Sequence, residues 1–208
     1  DNSTAFHAGV PLESPDLCAY LIIQLDELAD IAGSLGKPEE AKQWQVLADA
    51  TLEKMMGHFW TGERFVARLS GSHNPVEADT LLMFMPILLG KRLPQAIRIR
   101  LINGLKEEGR FLTSNGLATE TVSSPFYVAD GYWRGPIWAP STMLLADGLL
   151  ASGETAFAAE LARRFCTMAA ANGMAENFDA LSGRGLRDRA FTWTSSVFLI
   201  LAHEYMNL

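Results

Sequence analysis

The chain has 208 residues, 49% of them hydrophobic and 20% charged, a balance that builds a folded core and excludes a disordered tail. Its formal charge of −7, with no cluster of Lys and Arg, argues against a nucleic-acid or anionic-membrane partner. No apolar run approaches the ~20 residues that span a bilayer.

The first predicted helix opens at Ser14-Pro15 and carries an apolar stripe, Leu17, Leu21, Leu25, Leu28, Ile31 and Leu35, that Gly36 stops. A second opens at Pro38-Glu39-Glu40, with acids where the helix dipole favours them, and offers Trp44, Leu47, Leu52, Met55 and Phe59 as its core face. Residues 64–68 read as a short extended excursion after the Thr61-Gly62 turn. A Leu/Met-rich helix over 78–89 then ends at Gly90, and its partner runs over 94–108. A third pair follows at 137–150, ending near Gly153, and 154–171; a lone helix over 190–206 closes the chain. Gly36, Gly90 and Gly153 thus punctuate three helical hairpins of one design. This is an all-α pattern suited to part of an (α/α) toroid, treated as one partial domain over 1–208. The long segments 109–133 and 172–189 between hairpins are of the kind that carries function.

Two segments are unlike ordinary helix sequence. Gly131-Tyr132-Trp133-Arg134-Gly135-Pro136-Ile137-Trp138-Ala139-Pro140 concentrates aromatics, an arginine, prolines and glycines just before a helix. Trp133 and Trp138 offer faces for sugar stacking, Arg134 a fork for hydroxyls or a carboxylate, and Gly135 room for a close approach; Pro136 suits a helix's first turn. Aromatic packing at a helix start explains the same composition equally well. The second segment sets Ala175-Glu176-Asn177-Phe178-Asp179 and a glycine-rich turn before Phe191-Thr192-Trp193-Thr194. Glycoside hydrolysis needs two carboxyls across the scissile bond, and Glu176 fits one of them. Taken alone, Glu176 reads more readily as a solvated loop glutamate.

Tyr132-Trp133-Arg134-Gly135-Pro136-Ile137-Trp138, followed in order by Glu176-Asn177-Phe178 and Phe191-Thr192-Trp193-Thr194, resembles the C-terminal catalytic part of family 63 glycoside hydrolases, relatives of the trehalases. Gly116-Leu117-Ala118-Thr119-Glu120 and Ser124-Pro125-Phe126-Tyr127 look like that family's approach to the Trp-Arg-Gly-Pro run. The resemblance implies an (α/α)6 barrel and inverting hydrolysis of an α-glucoside or α-mannoside. Glu176 matches the general base, and Asp1, in Asp1-Asn2-Ser3, matches the general acid of a Gly-x-Asp-Asn-Ser-like motif whose glycine is absent here. Trp133, Trp138 and Trp193 are expected as sugar-stacking walls, Arg134 as the polar anchor, Gly135 beside them, and Glu120 and Glu77 as lesser candidates.

Seven predicted helices fall short of the twelve in an (α/α)6 barrel, and the first residue is Asp1 instead of Met. The chain is therefore expected to be a fragment, completed by a missing N-terminal half or a self-associated copy, and to hydrolyse poorly alone. A free α-amino group on Asp1 also favours the ionised carboxyl, the wrong form for an acid. The partner expected is a carbohydrate, with no metal or organic cofactor. Cys18 and Cys166 read as free thiols, favouring a cytoplasmic setting. Two other readings are a sugar epimerase on the same toroid, disfavoured because His7, His58, His73 and His203 lie outside both unusual segments, and a non-enzymatic glycan-binding or scaffold module.

Overall fold

The computed structural model describes residues 2–206, so Asp1 lies outside the described residues. Helices α1 (Pro15–Ser34) and α2 (Pro38–Phe59) each begin on a proline, whose missing N–H costs nothing in a first turn. The stretch Leu81–Arg92 is a 3-10 segment, not the α-helix expected over 78–89. Pro86 at its centre removes an i→i−4 hydrogen bond and crowds the preceding turn, which breaks an α ladder. Helices α3 (Gln95–Lys106), α4 (Ala139–Ala151), α5 (Thr155–Asn172) and α6 (Thr192–Glu204) follow. None of the described helices is long and apolar enough to cross a membrane.

The packing forms two rows. One is α1, the 3-10 segment, α4 and α6, each lying against the next; α2, α3 and α5 pack on the row as hairpin partners. Composition explains the sorting. The 3-10 segment, α4 and α6 are apolar on most sides, as elements contacted from two directions must be, whereas α2, α3 and α5 keep a charged face for water. The alternation is that of the expected (α/α) toroid. Gly36, Gly90 and Gly153, between successive partners, all take left-handed φ (72°, 51° and 90°).

The predicted stripe of α1 faces the wrong way for a core. Of its six residues only Leu25 is buried; Leu17, Leu21, Ile31 and Leu35 are exposed, and the buried face is Ala19, Ile22, Leu25, Ala29 and Ala32. Small residues let α2 and the 3-10 segment approach closely, so the alanine face wins the interior. Leu47 of α2 is likewise exposed, while Met55 and Phe59 are buried as expected. At the other end of the row, α6 exposes Leu199 and Ile200.

Among the described residues, seven short strands tie the loops. Strands β1 (Leu12–Glu13), β2 (Ala67–Leu69) and β3 (Pro75–Val76) form an antiparallel sheet, with Phe65 bridged to Trp60 just before β2. The extended excursion is thus present but centred slightly later than 64–68. Strands β4 (Leu112–Thr113) and β5 (Gly116–Leu117) make one hairpin, β6 (Asn177–Phe178) and β7 (Gly185–Leu186) another.

Candidate active site

The two unusual segments meet through their backbones. Ile137 and Phe178 exchange N–H···O bonds of 2.8 and 3.0 Å, fixing the Trp-Arg-Gly-Pro run beside the Glu176 strand. That pairing holds residue 137 extended, so α4 starts at Ala139 with Pro140, not Pro136, in its first turn. Glu176 is gripped by its main chain: its N–H donates to the Asp188 carbonyl at 2.7 Å, and its own carbonyl accepts the Trp193 indole N–H at 3.3 Å. Thr194 at the start of α6 adds a 2.6 Å bond to the Ala175 carbonyl. Among the described residues no side chain donates to the Glu176 carboxylate.

The carboxylate-bearing residue lines a cavity of about 470 Å³ with Asn2, Asp130, Tyr132, Asn177 and Arg187. Asn177 is only 2% exposed, yet its Oδ1 has no hydrogen-bond partner among the described residues. Buried acceptors without partners are rare and costly, so the Asn177 amide, on a residue that lines the cavity, is a group the fold leaves short of a protein donor. Tyr132 and Arg187 both adopt left-handed φ (62° each), unusual for residues with a Cβ. Arg187 donates from Nε to Asp130 Oδ1 at 2.9 Å, tying together the two long loops that line the cavity.

The aromatics form one cluster. Trp133 stacks on Trp138 (5.6 Å between ring centroids, 23°), and Trp193 meets Trp138 edge-on at 5.6 Å. Trp138 is 2% exposed and donates its indole N–H to the Tyr132 carbonyl at 2.9 Å. Its faces are occupied, so the expected role of sugar-stacking wall gives way to that of a support for Trp133 and Trp193. Trp193 is 40% and Tyr132 48% exposed. Arg134 is partly buried, and its Nε has no partner among the described residues. At Gly135 a Cβ would run into the Val128 carbonyl oxygen, so the 128–135 loop closes only around glycine. Its N–H is held by the Thr119 hydroxyl at 3.0 Å, and that hydroxyl in turn donates to the Pro136 carbonyl at 3.1 Å.

Asn2 stitches the chain's start to this loop. Its Nδ2 donates to the Gly131 carbonyl at 3.0 Å and its Oδ1 accepts the Trp133 N–H at 3.1 Å. Glu120 lies elsewhere, buried beside a second cavity of about 560 Å³ that Thr4, His7 and Phe126 also line. Its Oε2 accepts the Thr4 hydroxyl at 2.7 Å, and burial raises its carboxyl above the usual range. Glu77 is exposed and paired with Arg64. Burial and the adjacent Asp179 carboxylate, to which it is hydrogen-bonded at 3.3 Å, push the Tyr127 hydroxyl up to about 12. Sequence reasoning missed Asp130, Tyr132 and Arg187 as cavity residues; all three fall inside or beside the two long loops, which were the available signal. None of the four histidines lines the Glu176 cavity.

The family described as the mannosylglycerate hydrolase MGH1-like glycoside hydrolase domain matches residues 1–194. The chain belongs to this family. It is 27% identical over 169 residues to a mannosylglycerate hydrolase of Thermus thermophilus, covering 78% of this chain and 38% of that protein. A mannosylglycerate hydrolase of Rubrobacter radiotolerans is 26% identical over 86% of this chain and 41% of its own length. The chain therefore spans about two fifths of the length of these curated relatives. In three dimensions it resembles the family 63 mannosylglycerate hydrolase of Thermus thermophilus solved with glucose (TM-score 0.76, 24% identity, 91% of this chain and 44% of that one). It also resembles the neutral trehalase of Saccharomyces cerevisiae (TM-score 0.78, 20% identity, 100% of this chain and 40% of that one). The fold is thus that of the (α/α)6 toroid proteins, with six α-helices and the long 3-10 segment among the described residues.

Proposed function

We propose that the chain carries the base side of an inverting α-glycosidase active site, with Glu176 as the group that activates water. The observation behind this reading is the pairing of a carboxylate that no described side chain engages with a buried, unpartnered Asn177 oxygen on one cavity. In the reaction, Glu176 takes a proton from water as the water oxygen bonds to the anomeric carbon. The carbon–oxygen bond to the leaving group breaks on the opposite face, and the leaving oxygen takes a proton from the acid. Asp1 is our candidate for that acid; the family motif supports it, as does the place of Asn2, the next residue, in the cavity lining. The two carboxyls should then stand about 6.5–9.5 Å apart in the working enzyme.

Trp133 and Trp193 supply sugar-stacking faces over the Trp138 support, and the Arg134 guanidinium anchors hydroxyls or a carboxylate of the substrate. The relatives' name makes mannosylglycerate the first substrate to try, with α-glucosides next. The apolar faces left exposed on α1 and α6 suit contact with further helices of the same toroid, in preference to a second copy of this chain. Two unpaired cysteines favour a cytoplasmic setting. No cofactor enters the scheme.

The test is hydrolysis of mannosylglycerate and α-glucosides by the full polypeptide, by its Glu176→Gln variant and by residues 1–208 alone. The expected pattern is turnover by the first, a loss of roughly 10²–10⁴-fold in the second, and little or none in the third. A glycan-binding module without chemistry would instead bind sugar with or without Glu176 and release no product.

A further inference from the structure

The four histidines are scattered in the sequence, but two of them converge in space on one carboxylate. Glu13 of β1, His58 in the last turn of α2 and His73 in the turn between β2 and β3 meet at one face of the three-stranded sheet. His58 Nε2 lies 2.7 Å and His73 Nδ1 3.0 Å from the same oxygen, Glu13 Oε2. The two imidazole rings stand edge to face at 5.4 Å. One donor atom from each residue falls within 4.8 Å of the other two, the spacing of ligands around a single ion.

The surroundings hold this geometry in place. Arg68, paired in register with Glu13, donates from Nε to the His58 carbonyl at 2.6 Å and from Nη1 to the His73 carbonyl at 2.7 Å. One guanidinium thus clamps the backbones of both histidines. His73 N–H bonds the Leu69 carbonyl at 2.8 Å, and Leu69 N–H the Asn74 carbonyl at 3.0 Å, closing the turn that presents the ring. His73 adopts left-handed φ (57°), uncommon for a residue with a Cβ and concentrated where a side chain must be aimed. His58 is steadied by an edge contact with Phe59 at 4.6 Å.

Two imidazole nitrogens and one carboxylate oxygen form a borderline-soft donor set. It suits zinc and its first-row neighbours and not calcium or magnesium, which take oxygen-rich shells. Half-exposed rings leave the outer positions to water. The simpler alternative, a plain carboxylate shared by two imidazoles, accounts for the short contacts but not for the clamp on both backbones or the left-handed His73.

We propose that Glu13, His58 and His73 form a divalent transition-metal site, with Zn²⁺ as the reference ion, that staples β1 and the β2–β3 turn to the end of α2. Glu13 follows the segment whose other end, Asn2, lines the Glu176 cavity, so the ion would stiffen the approach to the active site without taking part in its chemistry.

The test is titration of the metal-free full polypeptide with Zn²⁺, followed by calorimetry and by Tm, beside His73→Asn and His58→Gln variants and a His7→Ala/His203→Ala control. Asn tolerates left-handed backbone, so His73→Asn removes the ligand while keeping the turn, and it decides the matter if His58→Gln fails to fold. Expected are saturable binding with a rise in Tm, and a loss of more than about 100-fold in affinity in either ligand variant, beyond the ~10–100-fold that outer-shell changes cost. The control should bind as the parent does. Co²⁺ should give the visible absorption of a nitrogen- and oxygen-ligated ion, lost in His73→Asn. Unchanged Zn²⁺ affinity in His73→Asn, or displacement of Zn²⁺ by equimolar Mg²⁺, would overturn the site.

Discussion

Two glutamates, each lining a cavity, show opposite uses of the same side chain. Glu120 is 1% exposed, bonded to the Thr4 hydroxyl, and held by burial above the ordinary carboxyl range. Glu176 is fixed through its main chain by Asp188, Trp193 and the β6 pairing, while its carboxylate is left unengaged on a cavity. A fixed backbone with an unengaged head group is the arrangement the proposed base role draws on. A bonded and buried head group belongs to structure, where the carboxyl joins the chain's start to the 119–121 strip. The cavity lining around Glu176 also concentrates unusual features: the orphan Asn177 oxygen and two left-handed residues, Tyr132 and Arg187. Such costs persist where function holds them.

Breaking the contrast is straightforward. The largest effect is expected from Glu176→Gln, which should lower kcat by roughly 10²–10⁴-fold with the Tm nearly unchanged; calorimetry beside steady-state kinetics reads both. Gly135→Ala should reverse that pattern. Forcing a methyl group against the Val128 carbonyl should destabilise by about 1–3 kcal/mol, visible in urea melts, with activity falling only as the loop shifts. Asn177→Ala removes an acceptor that lacks a protein partner, so stability should hold or rise while transition-state binding weakens by about 1–3 kcal/mol in kcat/KM.

The smallest effect belongs to Glu120→Gln. Because burial raises the Glu120 pKa, the folded protein holds that proton more tightly than the unfolded chain does. Its contribution to stability therefore falls as pH rises above the unfolded value of about 4.3 towards the raised folded one. Gln can still accept the Thr4 hydroxyl, so the variant should gain stability relative to the parent at pH 8 but not at pH 4, without a comparable loss of kcat. A large kcat loss in Glu120→Gln would break the comparison.

The helices were legible because their punctuation is local: Pro15, Pro38, Gly36, Gly90 and Gly153 mark boundaries that the fold keeps within a few residues. What local pattern could not convey was which face of a helix meets a neighbour. On α1 the leucine stripe looked like the core, but close approach of α2 and the 3-10 segment selects the alanine face. Pro86 was visible in the sequence, and its consequence, a 3-10 stretch, follows from one missing N–H. At the site, the motif order exposed Glu176 and the Trp-Arg-Gly-Pro run. For Trp138 and Gly135 the sequence leaves packing and ligand contact equally open, because an aromatic or a glycine in a motif serves either; the Trp133 stack and the Val128 carbonyl reveal the packing part. The left-handed backbone of Tyr132 and Arg187 could not be read from their loops, since at a non-glycine residue it is imposed by the fold. The meeting of His58 and His73 on Glu13 depends on a sheet joining residues far apart in the chain, which no spacing rule reveals.

The central claim is that Glu176 activates water on the face opposite the leaving group. The direct measurement is proton NMR of the first product formed by the full polypeptide's Glu176→Ala variant from an activated α-glycoside, with and without azide. With the base side chain gone, the small anion should enter the vacated face, restore turnover and yield the β-glycosyl azide. No rescue, or an α-azide with retained configuration, would contradict the assignment of Glu176 as the base of an inverting pair.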